Sequence, residues 1–85
     1  MFCSTGCGAV IACNKIKGIR AALCHDRYSA HQCVEHDDVQ VLGIGGEVIG
    51  YYTAKEVIEA FLDAEFSQGE EFQRRLEKLE RLEAV

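Results

Sequence analysis

The chain has 85 residues, 48% of them hydrophobic, with a formal net charge of -5 and no proline. That size allows one small domain over residues 1–85, the apolar content argues against global disorder, and no apolar run approaches the roughly 18 residues that span a bilayer. Basic residues are interleaved with acidic ones, which argues against nucleic acid as a partner, and no charged stretch followed by an apolar one marks a signal peptide.

In chain order, Met1-Phe2 reads as the tail of a strand ending near Cys3. The run Cys3-Ser4-Thr5-Gly6-Cys7-Gly8 follows, placing thiols, hydroxyls and two glycines in a turn that can open a helix. Backbone N–H groups at such a turn can hold a developing oxyanion, and the helix dipole favours a thiolate nearby. Ala9 to Ile16 reads as a helix stopped by Lys17-Gly18, and Ile19 to Cys24 as a short apolar strand. Asp26 is a candidate N-cap for a helix from Arg27 to about Glu35. Val39 to Ile44 is a β-branched strand, and Gly45-Gly46 turn the chain out of it. Thr53 with Glu56 has the spacing of a capping box, predicting a helix to about Ala64 with Val57, Ile58, Phe61 and Leu62 on its apolar face. From about Gly69 to Ala84, Phe72, Leu76, Leu79 and Leu82 recur at helical spacing, and Glu70–Arg74, Glu71–Arg75 and Glu77–Arg81 are i,i+4 pairs.

Alternating strands and helices with short connections predict an α/β fold, a partial Rossmann-like sheet of about three parallel strands flanked by helices, with a C-terminal helix. Ligands in such sheets sit outside the carboxyl ends of the strands. Three places qualify: the loop from Cys3 to Gly8, the turn at His25-Asp26 and the turn after Ile44. A chain that opens at the end of a strand, on its most chemically loaded loop, reads as the second half of something larger. An exposed sheet edge then predicts a dimer or higher homo-oligomer.

The cysteines are Cys3, Cys7, Cys13, Cys24 and Cys33. An odd count at irregular spacing does not read as a disulfide framework, and implies a reducing, cytoplasmic setting. Zinc ligands from Cys24, His25, His31, Cys33 and His36 are conceivable. However, no C-x2-C pair is present, and His31 and Cys33 fall on different faces of a helix, so no metal and no cofactor is expected.

Cys3-Ser4-Thr5-Gly6-Cys7-Gly8, Ala12-Cys13-Asn14-Lys15, Gly18-Ile19-Arg20-Ala21-Ala22, Tyr28-Ser29-Ala30, Glu35-His36-Asp37-Asp38 and Val41-Leu42 follow one another in an ordered set. From Met1 to about Leu79 that set resembles the ribose-5-phosphate isomerase B family, which includes the galactose-6-phosphate isomerase subunits. The resemblance implies an aldose–ketose isomerase of phosphorylated sugars, of the ribose-5-phosphate/ribulose-5-phosphate type, working through a cis-enediolate. It implies that Cys3 is the base that moves a proton between adjacent sugar carbons and that Thr5 is the hydroxyl beside it. Gly6 and Gly8 match the loop that holds the enediolate oxygen, and His36 matches the histidine that helps open the sugar ring. Asp37 stands where the family usually has asparagine, and Arg75 matches one of the arginines that grip the phosphate.

The chemistry suits these roles, because a proton next to a carbonyl is weakly acidic and needs both a tuned base and donors aimed at the oxyanion. Departures from the family pattern are equally specific. Its N-terminal Asp-His pair is absent, and Glu47 and Glu71 stand where it carries arginine. Gly50-Tyr51-Tyr52 replaces its Gly-Pro-Glu. Two readings follow: an isomerase in truncated form, or a non-catalytic remnant or assembly subunit with the same fold.

Overall fold

A computed structural model describes residues 1–84. The elements are β1 (Phe2–Cys3), α1 (Cys7–Asn14), β2 (Ala21–Leu23), α2 (Arg27–Asp37), β3 (Val41–Gly45), α3 (Tyr51–Asp63) and α4 (Glu70–Glu83). The strands form one parallel sheet in the order β1-β3-β2. Phe2 pairs with Ile44 and Cys3 with Gly45 on one side of β3, while Ala21, Ala22 and Leu23 pair with Val41, Leu42 and Gly43 on the other. The expected α/β half-sheet, with its C-terminal helix, is therefore the observed one.

Strand β3 is the centre because its alternate side chains serve different layers. Leu42 and Ile44 are buried in a cluster with Cys24, Ala30 and Val57, against which Ile49, Ile58, Ala60 and Phe61 pack. That cluster joins the sheet to α2 and α3. On the opposite face Gly43 receives Val10 of α1. No residue of α1 is fully buried, and Ile11 and Ile16 remain 61% exposed. One face of the sheet thus carries a core and the other only a thin cover.

Local chemistry sets the boundaries. Asp26 caps α2 as expected, its carboxylate accepting the Ser29 N–H at 2.8 Å. Helix α3 begins three residues earlier than the capping-box spacing predicts. Gly50 is its N-cap, without a side-chain bond, and Thr53 lies inside the first turn. The extended Gly50 carbonyl already accepts the Ala54 N–H at 2.9 Å, so the helix needs no hydroxyl to start. Helix α4 follows its apolar stripe, but the ion pairs among the described residues are Arg20–Asp38 at 3.2 Å and His31–Glu35 at 2.7 Å, not the Glu–Arg ladder along α4. The far end of α4 is tied back by Glu83, which accepts the Gly18 N–H at 2.7 Å.

The backbone and hydroxyl of Ser29 hold the Asp26 carboxyl below its ordinary range, with the Tyr28 amide and His25 adding smaller contributions. A carboxyl lowered on folding adds stability that is complete above its unfolded pKa of about 3.9 and is lost as pH falls through the folded value. Asp26→Ala is therefore expected to lower the melting temperature at pH 7. The gap to the parent protein should close as the pH drops below about 4, which thermal denaturation followed by circular dichroism across pH 2 to 7 reads directly. A gap that stays constant over that range would remove the charged cap from this account.

Candidate functional site

The carboxyl ends of all three strands meet at one edge of the sheet. From β1 the chain leaves through residues 4–6 and enters α1 with Gly6 as N-cap, at φ 86°. Left-handed backbone of this kind suits glycine. The Gly6 N–H points back and donates to the Cys3 sulfur at 3.0 Å, so the thiol sits under the opening turn of α1. A backbone donor and the positive end of a helix dipole both face that sulfur, an arrangement that suits negative charge on it. The Thr5 hydroxyl lies beside the Cys7 N–H at 3.5 Å. Gly8 is exposed, and the space outward from its Cα is open.

The loop is held from β3. The Gly46 N–H donates to the Cys3 carbonyl at 2.7 Å and the Glu47 N–H to the Ser4 carbonyl at 3.0 Å. Gly45 is buried so closely against the loop that a Cβ there would lie 2.5 Å from the Thr5 oxygen and 2.6 Å from its carbonyl carbon. The turn after β2 adds His25, whose Nε2 accepts the Gly45 N–H at 2.9 Å. With Nε2 accepting, the neutral ring carries its proton on Nδ1. Sequence reasoning marked His25-Asp26 as a strand-end turn without giving His25 a part in the site. A lone histidine in a turn gives no such signal until the sheet order puts β2 beside β3.

The remaining expected residues gather elsewhere. Helix α2 runs back from the carboxyl edge, and its 11 residues carry the chain about 16 Å. His36 and Asp37 are consequently at the amino edge of the sheet, remote from Cys3 in the same chain. There His36 stacks on Phe72 of α4, with ring centroids 4.6 Å apart and an interplanar angle of 11°. The Arg75 guanidinium lies 5.4 Å from the centroid of the same ring. Asp37 ends α2 and its carbonyl accepts from Arg20 Nε at 3.0 Å. The structure thus groups Cys3, Thr5, Gly6 and Gly8 in one place, and His36, Asp37 and Arg75 in another. Glu47 borders the first group, while Glu71 occupies the first turn of α4 near the second. No cluster of three or more His, Cys, Asp or Glu side chains suited to a metal ion occurs among the described residues.

The sequence model of the Ribose/Galactose Isomerase family matches residues 1–79. D-erythrulose-4-phosphate isomerase of Pectobacterium atrosepticum is 51% identical over 69 residues, covering 81% of this chain and 45% of that protein. Ribose-5-phosphate isomerase B of Escherichia coli is 40% identical over 83 residues, covering 98% of this chain and 55% of that one. The structure of type B ribose 5-phosphate isomerase from Trypanosoma cruzi superposes with a TM-score of 0.95 at 41% identity, over 98% of this chain and 55% of that chain. The chain belongs to the ribose/galactose isomerase family and spans about half the length of these relatives.

The held loop makes a prediction about reactivity. Cys3 and Cys7, both at the opening of α1, should be alkylated by iodoacetamide at pH 7 ahead of Cys13, Cys24 and Cys33. Gly45→Ala pushes the loop away from β3, so it should lower the labelling of Cys3 several-fold relative to Cys7, an internal reference in the same protein. Peptide mass spectrometry gives the ratio, and an unchanged ratio would mean that Gly45 does not hold the thiol in place.

Proposed function

We propose that this chain, as a member of the ribose/galactose isomerase family, supplies the thiol-bearing part of a site that interconverts an aldose phosphate and a ketose phosphate through a cis-enediolate. The substrate is of the ribose-5-phosphate/ribulose-5-phosphate type. The observation that carries this reading is the Cys3 sulfur held at 3.0 Å from the Gly6 N–H, under the first turn of α1 and at the carboxyl edge of a parallel sheet.

In this reading the Cys3 thiolate takes the proton from the carbon next to the carbonyl and returns it to the adjacent carbon. Charge then develops on the carbonyl oxygen, and the Cys7 and Gly8 N–H groups, which open α1 and have no helix carbonyl to bond, are the donors for it. The Thr5 hydroxyl orients the sugar beside the sulfur. His36 serves as acid for ring opening, a task suited to an imidazole near neutral pH. Arg75 binds the phosphate, and Asp37 fixes the neighbouring sugar hydroxyls.

Because Cys3 lies at the carboxyl edge of the sheet and His36, at the far end of α2, at its amino edge, these roles require more than one copy. We place the complete site between two chains, the His36 end of one meeting the Cys3 end of the other. Exposed Ile11 on α1 and Ile16 just after it, with Phe2 of β1 62% exposed, provide apolar surface for such a pairing. A dimer or larger homo-oligomer by light scattering at micromolar concentration is the expected result. A cytoplasmic location accords with five free cysteines and with a phosphorylated substrate.

A second reading has its own observation. Glu47 sits against the Cys3 loop and Glu71 one turn before Arg75, and carboxylates at both places repel a phosphate dianion. A non-catalytic assembly subunit with the family's fold would tolerate them. The two readings separate in one assay of ribose 5-phosphate turnover. It uses this chain alone and then together with the portion of the Escherichia coli relative that lies outside the matched region.

The chain alone should be nearly inactive. The complemented protein should turn over, and Glu47→Arg with Glu71→Arg should raise its rate. Cys3→Ala should then lower it by about 10²–10⁴-fold, the usual worth of a positioned base. Turnover indifferent to Cys3→Ala would dispose of the proposed base, and inertness of the complemented arginine variant would leave the assembly subunit as the function.

A further inference from the structure

Cys24 and Cys33 take no part in the proposed site, yet their sulfurs are 4.0 Å apart. Cys24 follows β2 and is 3% exposed, whereas Cys33 lies in the second turn of α2 and is half-buried. Cys33 also donates to the Ala30 carbonyl at 3.3 Å, which fixes its sulfur on the side facing Cys24. A disulfide bond is about 2.05 Å long, so closure needs about 2 Å of approach, within reach of small side-chain rotations at two neighbouring elements. Neither Cys3, Cys7 nor Cys13 has a thiol partner in contact among the described residues; Cys13 instead meets the Met1 sulfur at 3.1 Å.

The pair is reached from its Cys33 side. A cavity of about 570 Å³ opens between the sheet and α4, and Cys33 lines it together with Ala22, Val39, Leu79 and Leu82. Its volume is ample for a small peroxide. The hydrogen bond between the two thiols, with burial, pushes the Cys33 thiol up, while the same bond brings Cys24 down. Cys24 is therefore the readier thiolate, and Cys33 is the sulfur beside it that lines the cavity.

We propose that Cys24 and Cys33 form a reversible dithiol–disulfide site that reacts with hydroperoxides. One thiolate attacks the peroxide, forming an S–O bond as the O–O bond breaks and hydroxide leaves. The other sulfur then attacks that sulfur, forming S–S as S–O breaks, and the departing hydroxide leaves as water with the second thiol proton. Two thiols are oxidised and one hydrogen peroxide is reduced to two waters. Over-oxidation to sulfinic acid is outrun because the second thiol is already in contact. The bond closes the segment carrying His25 and Asp26 into a ring, joining the end of β2 to α2.

Trypsin cuts after Arg27, so the two cysteines fall on separate peptides, residues 21–27 and 28–55. The chain is treated with hydrogen peroxide, its free thiols are blocked, and the digest is analysed by mass spectrometry. The same is done with a Cys3→Ser, Cys7→Ser, Cys13→Ser variant whose circular dichroism matches the parent. Both should yield the disulfide-linked peptide pair, which dithiothreitol should release, and Cys33→Ser should abolish it. The proposal is overturned if the natively folded triple variant keeps two free thiols after peroxide treatment. It is equally overturned if Cys33 proceeds to sulfinic acid with no linked pair.

Discussion

The close seat of the residue 4–6 loop on the end of β3 is the contact on which the carboxyl edge depends. Gly45 has no room for a Cβ against Thr5, and the next two amides, of Gly46 and Glu47, donate to the carbonyls of Cys3 and Ser4. A side chain at position 45 would separate the loop from the sheet and remove the backbone donor from the Cys3 sulfur. His25 reaches the same place from β2 by accepting the Gly45 N–H. Two glycines, two carbonyls and one imidazole thus fix a thiol that no side chain of its own loop anchors. Burial contributes little here, since most of the loop is exposed; hydrogen bonds and sterics set the geometry.

The opposite edge is organised by stacking. Phe72 stacks on the His36 ring and has the Arg75 guanidinium close to its own ring, and it couples the end of α2 to the start of α4. The contact gathers two groups able to carry positive charge while Glu71 adds a negative one a residue away. Glu71 also complements the helix dipole at the first turn of α4, so its carboxylate has a structural benefit in the same place where it opposes an anion.

Much of this was legible in the sequence, for identifiable reasons. The β-branched run from Val39 to Ile44 and the spacing of Phe72, Leu76, Leu79 and Leu82 gave the right elements because β-branched side chains suit a strand and residues three or four apart share one face of a helix. The Cys3-to-Gly8 loop was legible as a site because glycines and a thiol in a strand-to-helix turn have few other uses. Thr53 and Glu56 misled about the start of α3, since the spacing of a capping box can occur inside a helix that begins on a bare glycine. The separation of Cys3 from His36 was hidden because it depends on the direction of α2, a property of the fold rather than of the motifs. His25 and the Cys24–Cys33 contact were hidden likewise, needing the β1-β3-β2 order and the packing of α2 before either acquires a neighbour.

Strand β1 has only two residues, and its pairing joins Phe2 to Ile44 across about half the length of the chain. Contacts between residues so distant in sequence compensate their loop-closure entropy only after the elements between them are in place. The β2–α2–β3 unit, with its buried cluster, can therefore assemble before β1 docks, and the thiol loop orders only with β1. By the same reasoning it opens ahead of that unit, and the Ile44 N–H, bonded to the Met1 carbonyl, opens with it, whereas the Cys24 N–H on the Gly43 carbonyl belongs to the β2–β3 pairing that stays closed.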